Sequence, residues 1–190
     1  TSNSNGLTLT GTISANAGAG NATIRSGGLG GINQTGGAIT ANNLIINTGG
    51  QTATITQPGN DVNTLNVGTG SATFTDVDDV SITGTNPLNQ LSVTATDIDF
   101  SNTATVTLSG AGANVFNGNI TANPGSQLNQ NSGDVSFTGT TINLNNLQYN
   151  GAGGTNTSFD ATTTTAGSAL TFFNLNVNSG DYQTNADTTF

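Results

Sequence analysis

The sequence has no cysteine, no histidine, no methionine and no tryptophan, and its one basic residue is Arg25. Without imidazole, thiol or amine side chains there is no such base, nucleophile or soft metal ligand, so the enzyme classes built on them are excluded. The ten acids are all aspartates: Asp61, Asp76, Asp78, Asp79, Asp97, Asp99, Asp134, Asp160, Asp181 and Asp187. Only carboxylate chemistry remains. A net charge of -9 with one cation leaves no basic patch to displace counterions from phosphates, so nucleic acid is not an expected partner. No run approaches the roughly 18 apolar residues of a membrane span, and membrane insertion is not expected either. The absence of Cys removes any disulfide framework, so stability must come from packing and backbone pairing. Neither a charged leader with an apolar stretch nor a first-position Met is present, which reads as a mature or excised segment.

What is present is threonine, asparagine and 27 glycines, with a hydrophobic fraction of 32%, thin for a compact globule and better suited to an elongated fold with a narrow core. Short alternating runs recur, among them LTLTGTI, NLIIN, TATIT, TLNV, ATFT, VSIT, LSVTAT, ATVTL and VSFTG. Each reads as a strand, punctuated by Gly, Asn, Ser and Asp turns, and Pro58, Pro87 and Pro124 fall between runs. Self-similarity organises them. Aligning NNLIINTGG with NTLNVGTG places Leu44 on Leu65 and Ile46 on Val67, and the following runs place Thr54 on Thr73 and Ile55 on Phe74. TFTDVD against TATDID places Thr73 on Thr94, and INQTGGAIT against LNQNSGDVS places Ile32 on Leu128 at about five periods. A period of about 19–21 residues, each with two or three short strands, predicts one all-β solenoid over residues 1–190, a parallel β-helix in which each strand pairs with its copies above and below. About nine or ten coils at ~4.8 Å give a rod of roughly 45 Å. The odd spacing of Phe74 and Val77 requires a corner at Thr75 and Asp76 if both apolar side chains point inward, with Asp76 and Asp78 outside.

At INQTGGAITANNLIIN, TATITQPGNDVNTLNV and SATFTDVDDVSITG the chain resembles the repeats of filamentous-haemagglutinin-like exoproteins, the large adhesins exported by two-partner secretion or as autotransporters. The resemblance is clear from Asn21 to Gly84 and looser beyond. It implies a right-handed β-helical shaft, a secreted protein at the bacterial cell surface or in an extracellular fibre, and roles in attachment, biofilm or cell–cell contact. It transfers no catalytic residues. The family's amino-terminal secretion motifs, such as NPNG, do not appear in their context; Asn86-Pro87-Leu88 and Asn123-Pro124-Gly125 are the nearest phrases. A shaft segment is expected, not an export cap.

The acidic cluster is the one chemical candidate. An offset of 21 residues places Asp76 beside Asp97 and Asp78 beside Asp99 on adjacent coils, where paired carboxylates repel by roughly 1 kcal/mol in water and a calcium ion would relieve them. The competing reading is a solvated acidic ridge. No other cofactor is expected. GGLGG at Gly27 to Gly31 lacks the residues of a phosphate loop and reads as a turn. Thr-x-Thr runs (Thr52 and Thr54, Thr73 and Thr75, Thr94 and Thr96, Thr105 and Thr107) suit an ice-binding ladder or simply strand propensity. The phenylalanines, including Phe172 and Phe173, read as core stacks, and the sequons at Asn21, Asn33, Asn119 and Asn156 as products of composition. The expected function is structural, with neighbouring copies or further repeats of the same protein as partners. Two alternatives stand beside it: a filament subunit stacking end to end, and a β-helix module binding ice, surface glycans or a host receptor. A polysaccharide-degrading β-helix using paired Asp lacks cationic support beyond Arg25, so the chain is expected not to be an enzyme.

Overall fold

The computed structural model describes residues 6–27, 29–167, 170–184 and 188–189. The chain is an all-β parallel solenoid of about eight turns with about 21 residues per turn. At ~4.8 Å per turn the rod is about 40 Å long. The chain winds through three strand faces. On the first, Leu7–Leu9, Ile32–Gln34, Thr52–Ile55 and Gly70–Thr75 stack in parallel and continue into the middle of Thr85–Phe100 and the start of Asn114–Ala122. The second is built from Ile39–Asn47, Asp61–Val67, Asp79–Ile82 and the end of Thr85–Phe100. The third comprises the start of Thr85–Phe100, then Thr105–Leu108, Gln127–Gln130 and Gln148–Gly151.

Strict alternation explains why these residues form these strands. In Thr105–Leu108 the two apolar side chains are buried and the two threonines are half-buried on the outer surface. Parallel pairing then brings like residues together: Ile98, Ile120 and Ile142 form one inward column, and Phe116, Phe137 and Phe159 another. The three rings are nearly parallel, with centroids 5.4 and 5.3 Å apart. Each such contact contributes about 0.5–1.5 kcal/mol beyond the area it buries.

Corners interrupt the ladder and leave backbone groups without strand partners. Inward-pointing asparagines fill these gaps. The Oδ1 atoms of Asn60, Asn86 and Asn114 accept hydrogen bonds from the backbone N–H groups of Ile39, Val67 and Leu91 at 2.9, 2.7 and 2.9 Å. All three asparagines are fully buried, and in each case the amide caps the preceding coil. Leaving such an N–H unpaired would cost about 1–3 kcal/mol.

The structure places Leu44 on Leu65, Ile46 on Val67, Thr54 on Thr73 and Ile55 on Phe74, the register read from sequence. Two other alignments are corrected. Thr73 pairs with Ser92, and Phe74 with Val93, so the TFTDVD and TATDID phrases are offset by two residues in space. Stacking a buried ring on a buried valine fixes the register, and the second phrase crosses its corner in fewer residues. Ile32 and Leu128 lie on different faces, so their likeness is not a multiple of the coil period. It is a shared corner. Gln34 and Gln130 each donate Nε2 to the carbonyl of a glycine three residues on, Gly37 and Gly133, at 2.9 and 2.8 Å. Both glycines have positive φ, 66° and 71°, which a side chain would strain. The coil count is about eight because several coils exceed the expected 19–21 residues: Leu7 pairs with Ile32 and Asn21 with Asn43, and Leu91 and Asn114, linked across adjacent coils, are 23 residues apart.

Candidate functional site

The acidic corner is rearranged relative to the sequence expectation. Asp76 is inside, only 5% exposed, and Val77 is outside, 52% exposed. The cause is backbone satisfaction. Oδ2 of Asp76 accepts the N–H of Val62 at 3.0 Å and Oδ1 that of Asp78 at 3.3 Å, while Val77 turns outward with its N–H on the carbonyl of Asn60 at 2.7 Å. Asp76 thus takes the capping role that asparagine has at other corners. Burial pushes its carboxyl up to about 7 against the lowering effect of those two N–H groups, and the neighbouring Asp78 raises it further.

The pairs Asp76/Asp97 and Asp78/Asp99 are not brought together. Asp79 stands opposite Asp97, and Ser81 opposite Asp99. Partial desolvation and the charge of Asp97 raise the carboxyl of Asp79 above its ordinary value. Asp99 is held by the Ser81 hydroxyl at 3.1 Å and by Asn123 Nδ2, which reaches both its oxygens at 2.8 Å; Asp97 accepts from Asn119 Nδ2 at 2.9 Å. These amides and hydroxyls stabilise the ridge by hydrogen bonding. Among the described residues no three His, Cys, Asp or Glu side chains gather as a metal-holding group. Asp187 lies outside the described residues.

Among the described residues the phenylalanines are core apart from Phe173, and Tyr182 is partly buried against them. Phe74, Phe100, Phe116, Phe137, Phe159 and Phe172 are buried, whereas Phe173 is 51% exposed, because consecutive residues of an extended chain face opposite ways. Tyr149 is buried with its hydroxyl donated to Gln130 Oε1 and beside Thr157 Oγ1, and burial pushes that hydroxyl well above the usual phenol range. Gly31 packs so closely on Thr52 that a Cβ would lie 1.9 Å from its carbonyl oxygen, which accounts for part of the glycine cluster; Gly28 lies outside the described residues. Arg25 is exposed. The threonines divide among surfaces: Thr54 stacks on Thr73 and Thr75 on Thr94, while Thr105 and Thr107 belong to the third face.

One concave feature was not anticipated from sequence. Asp61–Val67 runs past the point where its partner Asp79–Ile82 ends, and the chain turns at Thr83 and Gly84. The turn rises beside the second face as a step. Asn66 Nδ2 ties the step down by donating to the carbonyls of Thr83 and Thr85 at 2.7 and 3.3 Å. A Cβ on Gly84 would sit 2.8 Å from that nitrogen, and its φ is +65°, so glycine is needed at this approach. The resulting trough has a volume of about 360 Å³, with Asn43, Ile45, Thr64 and Asn66 in its lining and Thr83 and Thr103 on the step side. The available signal was the triplet Leu44-Ile45-Ile46: three successive apolar residues on a strand force the middle one outward, and Ile45 is 37% exposed.

No family model matches this chain, and neither does any curated protein or solved structure, so its classification rests on its fold, an all-β parallel β-solenoid.

Proposed function

We propose that this chain is a structural shaft segment of an exported adhesin or extracellular fibre of filamentous-haemagglutinin-like type. The observation that carries the reading is the use made of buried polar side chains. Asn60, Asp76, Asn86 and Asn114 close the backbone hydrogen bonding of successive corners, and Gln130 holds the carbonyls of Gly133 and Asn156 as well as accepting from Tyr149. This is the chemistry of a rod whose repetition sets its length. The repeat phrases between Asn21 and Gly84 supply the second support, and through them export and surface placement enter the proposal. A net charge of -9 suits a surface protein that must stay soluble and separate.

The test is immunogold labelling of intact producing cells with antibodies raised against the purified chain, alongside accessibility to externally added protease. Gold on surface-attached or shed fibres, with the antigen removed by protease, is expected. Antigen confined to the cytoplasm and protected in intact cells contradicts the proposal.

A further inference from the structure

We propose that the trough beside the Thr83–Gly84 step binds a neutral saccharide. Its floor combines two things that sugar recognition requires, polar groups with unused hydrogen-bonding capacity and an aliphatic surface for the C–H face of a ring. Asn43 donates Nδ2 to Asn21 Oδ1 and accepts from Thr64 Oγ1, which fixes the amide row in one orientation. Among the described residues, the Asn21 amide nitrogen is left free to donate. Asn66 uses its nitrogen on the step, and among the described residues its Oδ1 has no donor and the Thr83 hydroxyl no partner. Donors and acceptors of this kind, convergent but unpaired, match the vicinal hydroxyls of a sugar.

Ile45 supplies the apolar element. It stands in an outward column between Thr23 and Asn66, where every coil around it presents a polar side chain. Ile45 stands outside the core, whose positions on this strand are filled by Leu44 and Ile46, and keeps 37% of its surface exposed between polar neighbours.

Charge selects the class of ligand. The trough lining carries no ionisable side chain among the described residues, and the protein bears a net charge of -9, so acidic glycans are repelled and cations find no carboxylate there. Its volume of about 360 Å³ lies at the low end of the ~300–1,000 Å³ typical of small-ligand sites, which limits contact to a short stretch of a chain. The step is anchored on both sides: Thr83 N donates to the Leu65 carbonyl at 2.9 Å and Gly84 N to Thr103 Oγ1 of the next coil at 3.4 Å. The site stands whether or not the shaft is exported.

The experiment titrates the full chain, by amide chemical-shift mapping and calorimetry, with four neutral tetrasaccharides (gluco-, manno-, galacto- and xylo-configured) and one uronic-acid tetramer. At least one neutral sugar is expected to bind with Kd below about 10 mM, moving amides at residues 43–45, 64–66 and 83–84. Ile45→Lys, which fills the trough from an exposed position, is expected to weaken binding at least about tenfold, as is Thr83→Val to a smaller extent. Thr73→Lys on the first face serves as control and leaves binding unchanged. Absence of binding by all four neutral sugars overturns the proposal, as does equal affinity in Ile45→Lys with a folded circular-dichroism spectrum, or a preference for the uronic-acid tetramer.

Discussion

Replacing Asp76 by asparagine is expected to stabilise the solenoid above pH 7 and to change little at pH 4–5. The carboxyl sits in the interior with a folded-state value of about 7, raised from 3.8. A raised acidic group has a definite sign: its contribution to stability is fully present below the unfolded value, near 4, and is lost as pH rises through the folded value, near 7. Above that pH the protein holds a buried anion whose neighbours Asp78 and Asp79 are also acids, with Asp97 opposite Asp79 and Asp61 beside Val62. Asparagine keeps the acceptor for the Val62 N–H, as Asn60 does for Ile39, and removes the charge. It gives up the longer contact to the Asp78 N–H at 3.3 Å, which is why no gain is expected in acid. A tenfold change in proton affinity is worth about 1.4 kcal/mol, and relaxation of the polar groups around the buried anion reduces the full figure, so the expected gain at pH 8 is about 1–2 kcal/mol. For a chain of this size that is ~2–6 °C in Tm. Thermal melts of both proteins from pH 4 to 8 measure it. Parallel pH profiles for wild type and variant would show that Asp76 is not the buried acid described here.

Phe137→Ala is expected to cost about 3–5 kcal/mol, more than the loss of any capping hydrogen bond at a corner. Phe137 is the middle ring of three, with Phe116 and Phe159 on either side and Tyr149 at 6.3 Å. Truncation opens a cavity in a core one coil wide, where backbone hydrogen bonds on both sides prevent collapse. It also removes packing from Tyr149, whose hydroxyl anchors Gln130 and Thr157. Phe173→Ala supplies the comparison, since that ring is half exposed, and its expected cost is under about 0.5 kcal/mol. Chemical denaturation of the pair measures the difference. Equal losses would mean that the rings do not form the continuous stack described.

The register of the early coils was legible in the sequence because their inward residues repeat in kind. Leu44 on Leu65 and Ile55 on Phe74 follow from aligning the repeated phrases, whose apolar alternation coincides. The acidic corner was not legible. Its look-alike phrases invite an alignment by letters, whereas the fold aligns Phe74 with Val93 and lets the corner absorb the mismatch. Asp76 points inward because a backbone N–H there needs an acceptor, a demand that exists only once the coil has closed. The same holds for Gln34 and Gln130: two similar phrases encode one kind of corner on two different faces, which sequence similarity reports without its location. The trough was invisible for a related reason. It arises from the difference in length between neighbouring strands, although Ile45 carried a local trace of it.

Coil-by-coil parallel pairing in the stated register underlies every feature of the solenoid, and the absence of cysteine makes disulfide trapping a clean measurement of it. Thr73 and Ser92 are cross-coil partners, so their Cα atoms lie at the inter-strand spacing of ~4.8 Å, within the span a disulfide can bridge. Thr73 and Thr94, the pair favoured by matching the two acidic phrases, are diagonal and about 8 Å apart, beyond that span. Under mild oxidation the double variant Thr73→Cys/Ser92→Cys is expected to cross-link rapidly within the monomer, and Thr73→Cys/Thr94→Cys to remain reduced. Preferential cross-linking of the second pair, or of neither, contradicts the fold as described.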